Sequence, residues 1–189
     1  MKEDLRVQKT KAALFRAFYE LLSEKSYESI TVNELCERAT VRRATFYKHY
    51  RDKQDFLVGL ITRFREHFND MMIHSGEKVT VKEYFAKYLD SILDHIEKYP
   101  EIVKNILSSQ MRDPFINVVI QINFKETALR LDQALRSGVR LRVSPEVAAS
   151  AIVGGTSLML VYWFEGGMRT PRELLQRDIS TIIDGIIES

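Results

Sequence analysis

The segment that most constrains this chain is TVRRATFYKHYRDK, residues 40–53, together with the ten residues before it. It holds five Lys or Arg (Arg42, Arg43, Lys48, Arg51, Lys53) against the single acid Asp52, with three aromatic rings interleaved. Just upstream, Thr31 stands three residues before Glu34. That is the capping-box spacing, in which a hydroxyl and a carboxylate each satisfy a free backbone amide at a helix start. It predicts a short helix over about Val32 to Ala39, a turn at Thr40-Val41, and a second short helix holding Ala44, Thr45, Phe46, Tyr47, Lys48 and His49. Two short helices joined by about three or four residues, the second one basic, make a helix-turn-helix. Charge alone would fit an ordinary solvated helix equally well; the turn spacing, the capping box and the small leading edge favour the motif.

The residue types suit a helix lying in the major groove of DNA. Ala44 and Thr45 are small enough for close approach and offer a methyl and a hydroxyl to base edges, and Arg43 can fork onto a guanine. Arg42, Tyr47, Lys48 and His49 are candidates for phosphates or base edges, whereas Phe46 and Tyr50 are expected to anchor the helix from beneath. Asp52 is placed to cap the next helix, which puts Lys53 at a helix start, where backbone amides and positive charge favour phosphate. Base contacts would specify and phosphate contacts would position.

With these residues in view, the run from about Arg6 to Leu60 resembles the DNA-binding domain of the tetracycline-repressor (TetR) family of bacterial regulators. ITVNELCERATVRRATFYKHYRDKQDFL follows that family's order of aliphatic, Thr, short helix, turn, Thr-aromatic-Tyr-basic-His-aromatic and charged cap. The chain departs from the pattern at Arg42, where the family usually places Ser or a similar cap. The resemblance implies a dimer that represses from an operator and is released when a small molecule enters a C-terminal domain.

Net charge is only +2, which hides an asymmetry: residues 1–60 carry twelve Lys or Arg against nine Asp or Glu, and residues 61–189 carry sixteen against seventeen. Basic character therefore belongs to the expected DNA-binding domain, residues 1–60, and not to the expected ligand-binding and dimerisation domain, residues 61–189. The single cysteine, Cys36, excludes an intrachain disulfide framework and reads as a buried small hydrophobe. There is no N-terminal apolar signal region, and apolar runs are broken by Gly, Ser or charge well short of ~18 residues, so a cytoplasmic protein without a membrane partner is expected.

Helical spacing of apolar residues accounts for the rest of the chain. It predicts helices from Arg6 to about Glu24, from Lys53 to about Met72, after a second capping box at Thr80 and Glu83, from Pro100 to about Ser109, after Asp113-Pro114, after Ser144-Pro145, and after Thr170-Pro171. No strand alternation is present, and the expected fold is all-α with about nine helices. The last two helices are apolar on too many sides for a monomer surface. They point to a homodimer in which the pair from each chain forms a four-helix bundle.

Phe85, Tyr88, Met111, Phe115, Phe124, Tyr162 and Trp163 would line an apolar pocket for a small hydrophobic or aromatic effector, or else form plain core. His49, His67, His74 and His95 have no metal-ligand spacing, Gly154-Gly155 lacks the Lys and Ser or Thr of a phosphate loop, and there is no nucleophile elbow. No catalytic residue, metal or cofactor is expected. The expected partner is a double-stranded DNA operator; regulation through a protein partner, or a helical scaffold without DNA binding, are the alternatives.

Overall fold

The computed structural model describes residues 5–76 and 78–188. Among them are nine helices: α1 (Leu5–Glu24), α2 (Val32–Arg38), α3 (Arg43–His49), α4 (Lys53–His74), α5 (Val81–Lys98), α6 (Pro100–Leu107), α7 (Arg112–Arg136), α8 (Pro145–Glu165) and α9 (Arg172–Ile186). They form two compact units, residues 1–65 with 96–115, and residues 66–95 with 116–189. The first unit thus adds α6 to the helix-turn-helix segment expected over residues 1–60, and α4, α5 and α7 each change unit within their length.

The sequence signals for helix starts work largely as the chemistry requires. Thr31 Oγ1 accepts from the Glu34 N–H at 3.1 Å, and in the second box the Thr80 and Glu83 groups bond reciprocally at 2.6 and 3.2 Å. Two starts differ from expectation. α7 begins at Arg112, ahead of Asp113-Pro114, and just before it the Ser109 hydroxyl accepts the Met111 N–H at 3.1 Å. α9 begins after Pro171, an N-cap with no side-chain acceptor, and the Thr170 carbonyl accepts the Trp163 indole N–H at 2.8 Å.

Three helix ends close alike. The amide two residues past the C-cap returns to the carbonyl three residues before it, and the intervening amide closes the shorter loop: Val41 to Cys36 and Thr40 to Glu37, Val139 to Ala134 and Gly138 to Leu135, Met168 to Trp163 and Gly167 to Phe164. The middle residue must take positive φ, which Gly138 and Gly167 adopt without cost. Thr40 holds it at φ 55°, a strained state for a β-branched side chain, in the turn between α2 and α3.

Unit 1 is organised around Phe56, which is fully buried. Phe15 and Phe18 of α1, Phe46 of α3 and Tyr50 at the end of α3 surround it at centroid distances of 5.3, 5.1, 5.8 and 4.9 Å. Leu14, Leu21, Leu22, Ile30, Leu35 and Leu57 fill the space between, with Ile102 and Ile106 of α6 closing the cluster. The Asn105 side chain donates to the Leu22 carbonyl at 2.7 Å, joining α6 to the end of α1. Between α1 and α2, Arg38 forks onto Glu24 at 2.8 and 3.0 Å.

In unit 2, α5 buries Tyr84, Phe85, Tyr88, Leu89 and Leu93. Arg172 of α9 pairs with Asp90 and, at 2.6 Å, with Asp94. A polar cluster joins three helices: Tyr84 Oη donates to Asn69 at 2.5 Å, Arg130 donates to the same oxygen at 3.1 Å, and its guanidinium lies 3.6 Å from the Tyr84 ring centroid. Residues 140–142 pair with 186–188 through an isolated antiparallel bridge at Leu141 and Ile187.

α8 corrects one sequence expectation. By length and composition it is the one described helix able to cross a bilayer, because the Gly and Ser residues counted as breaks are carried inside a continuous 21-residue helix. Only a third of its most apolar window is buried within the chain.

Gly59 lies inside α4, where glycine costs about 1 kcal/mol of helix propensity relative to alanine. A Cβ there would meet Tyr50 Cε1 at 2.8 Å, and that ring is held by Phe46 and Phe56. Gly59→Ala is therefore expected to lower stability by about 1 kcal/mol net, overpacking outweighing the propensity gain. Urea unfolding checks the sign; a raised midpoint would show that the Tyr50 ring yields freely.

Candidate nucleic-acid interface

α3 has two chemically distinct faces. Phe46 is completely buried and Tyr50, its C-cap, is 6% exposed, so the helix is fixed to the domain by two rings about one turn apart. Arg42, Arg43, Ala44, Tyr47 and Lys48 are exposed, while Thr45 and His49 are half-buried at the margins. Tyr47 is 48% exposed despite its size. The Arg43 guanidinium lies 6.0 Å from its ring centroid, and the Phe46 ring meets Tyr47 edge to face at 5.4 Å.

The helix start carries the departure noted in the sequence, Arg42, as its N-cap. Its backbone is extended, φ −68° and ψ 140°, and its side chain makes no cap bond, so it extends from the helix start as an additional cation. The Arg42 carbonyl accepts the Thr45 and Phe46 amides at 2.8 and 3.1 Å. All seven sequence-selected residues of α3 and its cap thus belong to one short element, with Arg42, Arg43, Ala44, Tyr47 and Lys48 open to solvent together.

After α3 the chain turns at Arg51-Asp52. Asp52 Oδ1 accepts the Asp55 N–H at 2.8 Å, the cap expected for α4. The Asp55 carboxylate reaches back to the Arg51 N–H at 2.9 Å, and this bond, with the Arg51 guanidinium, holds the Asp55 carboxyl below its ordinary range.

Lys53 is placed differently from its expected role at the phosphates. Its ammonium donates to the Tyr27 and Ile30 carbonyls, both at 2.6 Å, and sits 4.1 Å from the Tyr27 ring centroid. Burial lowers its pKa, with the Glu28 carboxylate acting in the opposite sense. Sequence reasoning missed this because the accepting carbonyls lie 23 and 26 residues away. Cys36 is buried on α2 within the motif, and burial pushes its thiol up despite Arg43 nearby.

The seven residues proposed for an effector pocket fall in both units. Met111 and Phe115 belong to unit 1 and pack against its core. Phe85 and Tyr88 are buried in unit 2 near Phe68 and Tyr84. Trp163 is buried, Phe124 is half-buried, and Tyr162 is 66% exposed. Tyr162 projects from the same face of α8 as Val147 and Leu158, 54% and 52% exposed, with Ala151 and Gly154 between them. A Cβ built on Gly154 meets nothing within 4 Å. On α9, Ile182 is exposed as well.

Known proteins show the same plan. The family model for bacterial regulatory proteins of the tetR family matches residues 14–60. The HTH-type transcriptional regulator YxbF of Bacillus subtilis (strain 168) is 28% identical over 185 residues, covering 96% of this chain and 46% of YxbF, so the chain spans about half of that protein's length. The fatty acid degradation regulator FadR from Bacillus halodurans has the same fold, with a TM-score of 0.68 at 15% identity over 92% of this chain and 97% of FadR's. FadR from Bacillus subtilis, solved in complex with stearoyl-CoA, gives a TM-score of 0.64 at 18% identity over 91% and 96% of the two chains. Residues 14–60, which hold the helix-turn-helix, are thus similar to the DNA-binding segment of bacterial regulatory proteins of the tetR family, and 92% of the chain shares the fold of the Bacillus halodurans FadR.

Proposed function

We propose that the protein is a sequence-specific DNA-binding transcriptional regulator that acts as a homodimer on a roughly palindromic operator in the cytoplasm. The observation that carries this reading is α3: two buried rings fix it, and Arg42, Arg43, Ala44, Tyr47 and Lys48 stand exposed together. Ala44 and Thr45 allow close approach to base edges, Arg43 offers a bidentate donor for a guanine, and Arg42, Tyr47, Lys48 and His49 supply phosphate and edge contacts.

The dimer reading rests on α8 and α9. Val147, Ala151, Gly154, Leu158 and Tyr162 recur every three or four residues, forming an apolar stripe that includes a residue without a side chain, a surface suited to close packing of a second helix. Two such pairs form a four-helix bundle and present two recognition helices across a two-fold axis, matching a palindrome about one turn of DNA or somewhat more between half-sites.

The regulator represses until a small apolar or aromatic ligand enters the C-terminal helices. Support comes from the aromatic content of unit 2, with Phe85, Tyr88, Phe124 and Trp163, and from the stearoyl-CoA complex of the FadR protein with this fold. Whatever the ligand, it acts only by binding the DNA-incompetent conformation more tightly than the competent one.

Arg43→Ala is expected to cost ~1 to 3 kcal/mol on the preferred duplex and to relax preference at one base position per half-site. Fluorescence anisotropy on a panel of single-base variants measures this, and equal loss on every sequence would remove Arg43 from base reading. Leu158→Glu is expected to halve the sedimenting mass, about a twofold change, while leaving the helical far-UV spectrum intact. A variant that still sediments as a dimer, or a wild-type protein that partitions onto lipid vesicles instead of dimerising, would reassign the α8 face.

A further inference from the structure

We infer that Lys53 serves DNA binding as a positioning residue: it ties the start of α4 to the α1–α2 loop and so sets where α2 and α3 stand, without itself contacting a phosphate. The inference rests on the DNA-binding reading above and differs from the role that its place at a helix start would assign.

The geometry commits the whole ammonium group. A lysine has three N–H donors and no acceptor. Two reach the Tyr27 and Ile30 carbonyls at 2.6 Å, the Glu28 carbonyl stands at 3.5 Å, and the Tyr27 ring lies beneath the charge. Bonds from a charged donor to fixed backbone acceptors are stronger than neutral ones, and releasing them would take the ammonium from the Ile30 carbonyl and leave the Tyr27 carbonyl with the Ile30 amide at 3.2 Å, beside the buried Tyr27 and Ile30 side chains. A phosphate would have to compete with all of this for one charge.

The tie falls at a sensitive point. Lys53 opens α4 three residues after Tyr50, the C-cap of α3, and Ile30 immediately precedes Thr31, the N-cap of α2. The residue leaving the motif therefore grips the loop that enters it. That loop is also held elsewhere within unit 1. Burial raises the Glu28 carboxyl, but its own backbone amide, the Gln110 amide and the Ser26 and Ser109 hydroxyls outweigh this and keep it below the ordinary range. Lys25 adds an ion pair to Glu34 of α2 at 2.5 Å. Without Lys53, the loop loses the contact that joins it to the exit of α3.

Phosphate binding and carbonyl gathering make different demands, which separates the two roles. A guanidinium replaces an ammonium well at a phosphate, but its planar fork does not fit three carbonyls arranged around a point. The experiment compares wild type, Lys53→Met and Lys53→Arg on the duplex that the wild type binds best, over about 50 to 200 mM salt, with amide hydrogen exchange on each free protein. The expected result is roughly tenfold weaker binding for both variants at every salt concentration with an unchanged salt slope. Exchange should quicken across residues 25–38 while α1 stays protected.

Recovery of wild-type affinity in Lys53→Arg, or a slope lower by about one per half-site in Lys53→Met with exchange unchanged, would make Lys53 a phosphate ligand and overturn the inference. Faster exchange throughout unit 1 would reduce the role to stability alone and overturn it as well. If the wild type bound no duplex, the DNA-binding reading would fail separately, because the exchange comparison reads the tie without DNA.

Discussion

Burial of the Phe56 ring among Phe15, Phe18, Phe46 and Tyr50 is the interaction on which the N-terminal unit depends. It brings α1, α3 and α4 to one point, and α3 is only seven residues long. Such a helix has no stability of its own in water, since nucleation outweighs the few hydrogen bonds it forms. What holds it is the burial of Phe46 and Tyr50, worth a few kcal/mol between them by apolar area. Because both anchors point the same way, the opposite face is left to arginine, lysine, alanine and tyrosine. The residues that fix the helix and the residues proposed to read DNA are separated by half a turn.

Around this core the polar contacts set direction more than stability. Arg38 on Glu24, Lys25 on Glu34 and Arg51 on Asp55 lie at the surface, where ion pairs contribute little. They do fix which way α2 and the turns face. Lys53 differs in having backbone carbonyls as partners, and backbone cannot swing away as a carboxylate can. Thr40, held at positive φ in the turn, adds a local strain that the packing of Val41 and Phe46 overrides.

Most of the motif was legible from residue order because its signals are local. The box at Thr31 and Glu34, the Asp52 cap and the Phe46 and Tyr50 anchors act within four residues or one helical turn, and each stands where its spacing placed it. The exposed set on α3 followed from the same periodicity. What could not be read from order was any contact closed across the chain. The carbonyls that accept Lys53, the return of α6 to α1 through Asn105, and the placement of Met111 and Phe115 in the first unit all depend on long-range packing. Tyr162 was ambiguous for another reason: an aromatic on an apolar helix fits a pocket and an interface equally well, and in the fold its side chain is 66% exposed.

The central claim is that α3 reads sequence as one of a pair. Its most direct test is selection of bound duplexes from a random pool by the purified protein, followed by sequencing, with Tyr47→Ala run in parallel. The account predicts an enriched palindrome whose half-sites lie about one turn of DNA or somewhat more apart and which the variant fails to enrich. Salt-sensitive binding with no enriched motif would contradict it and leave the basic helix as an electrostatic surface only.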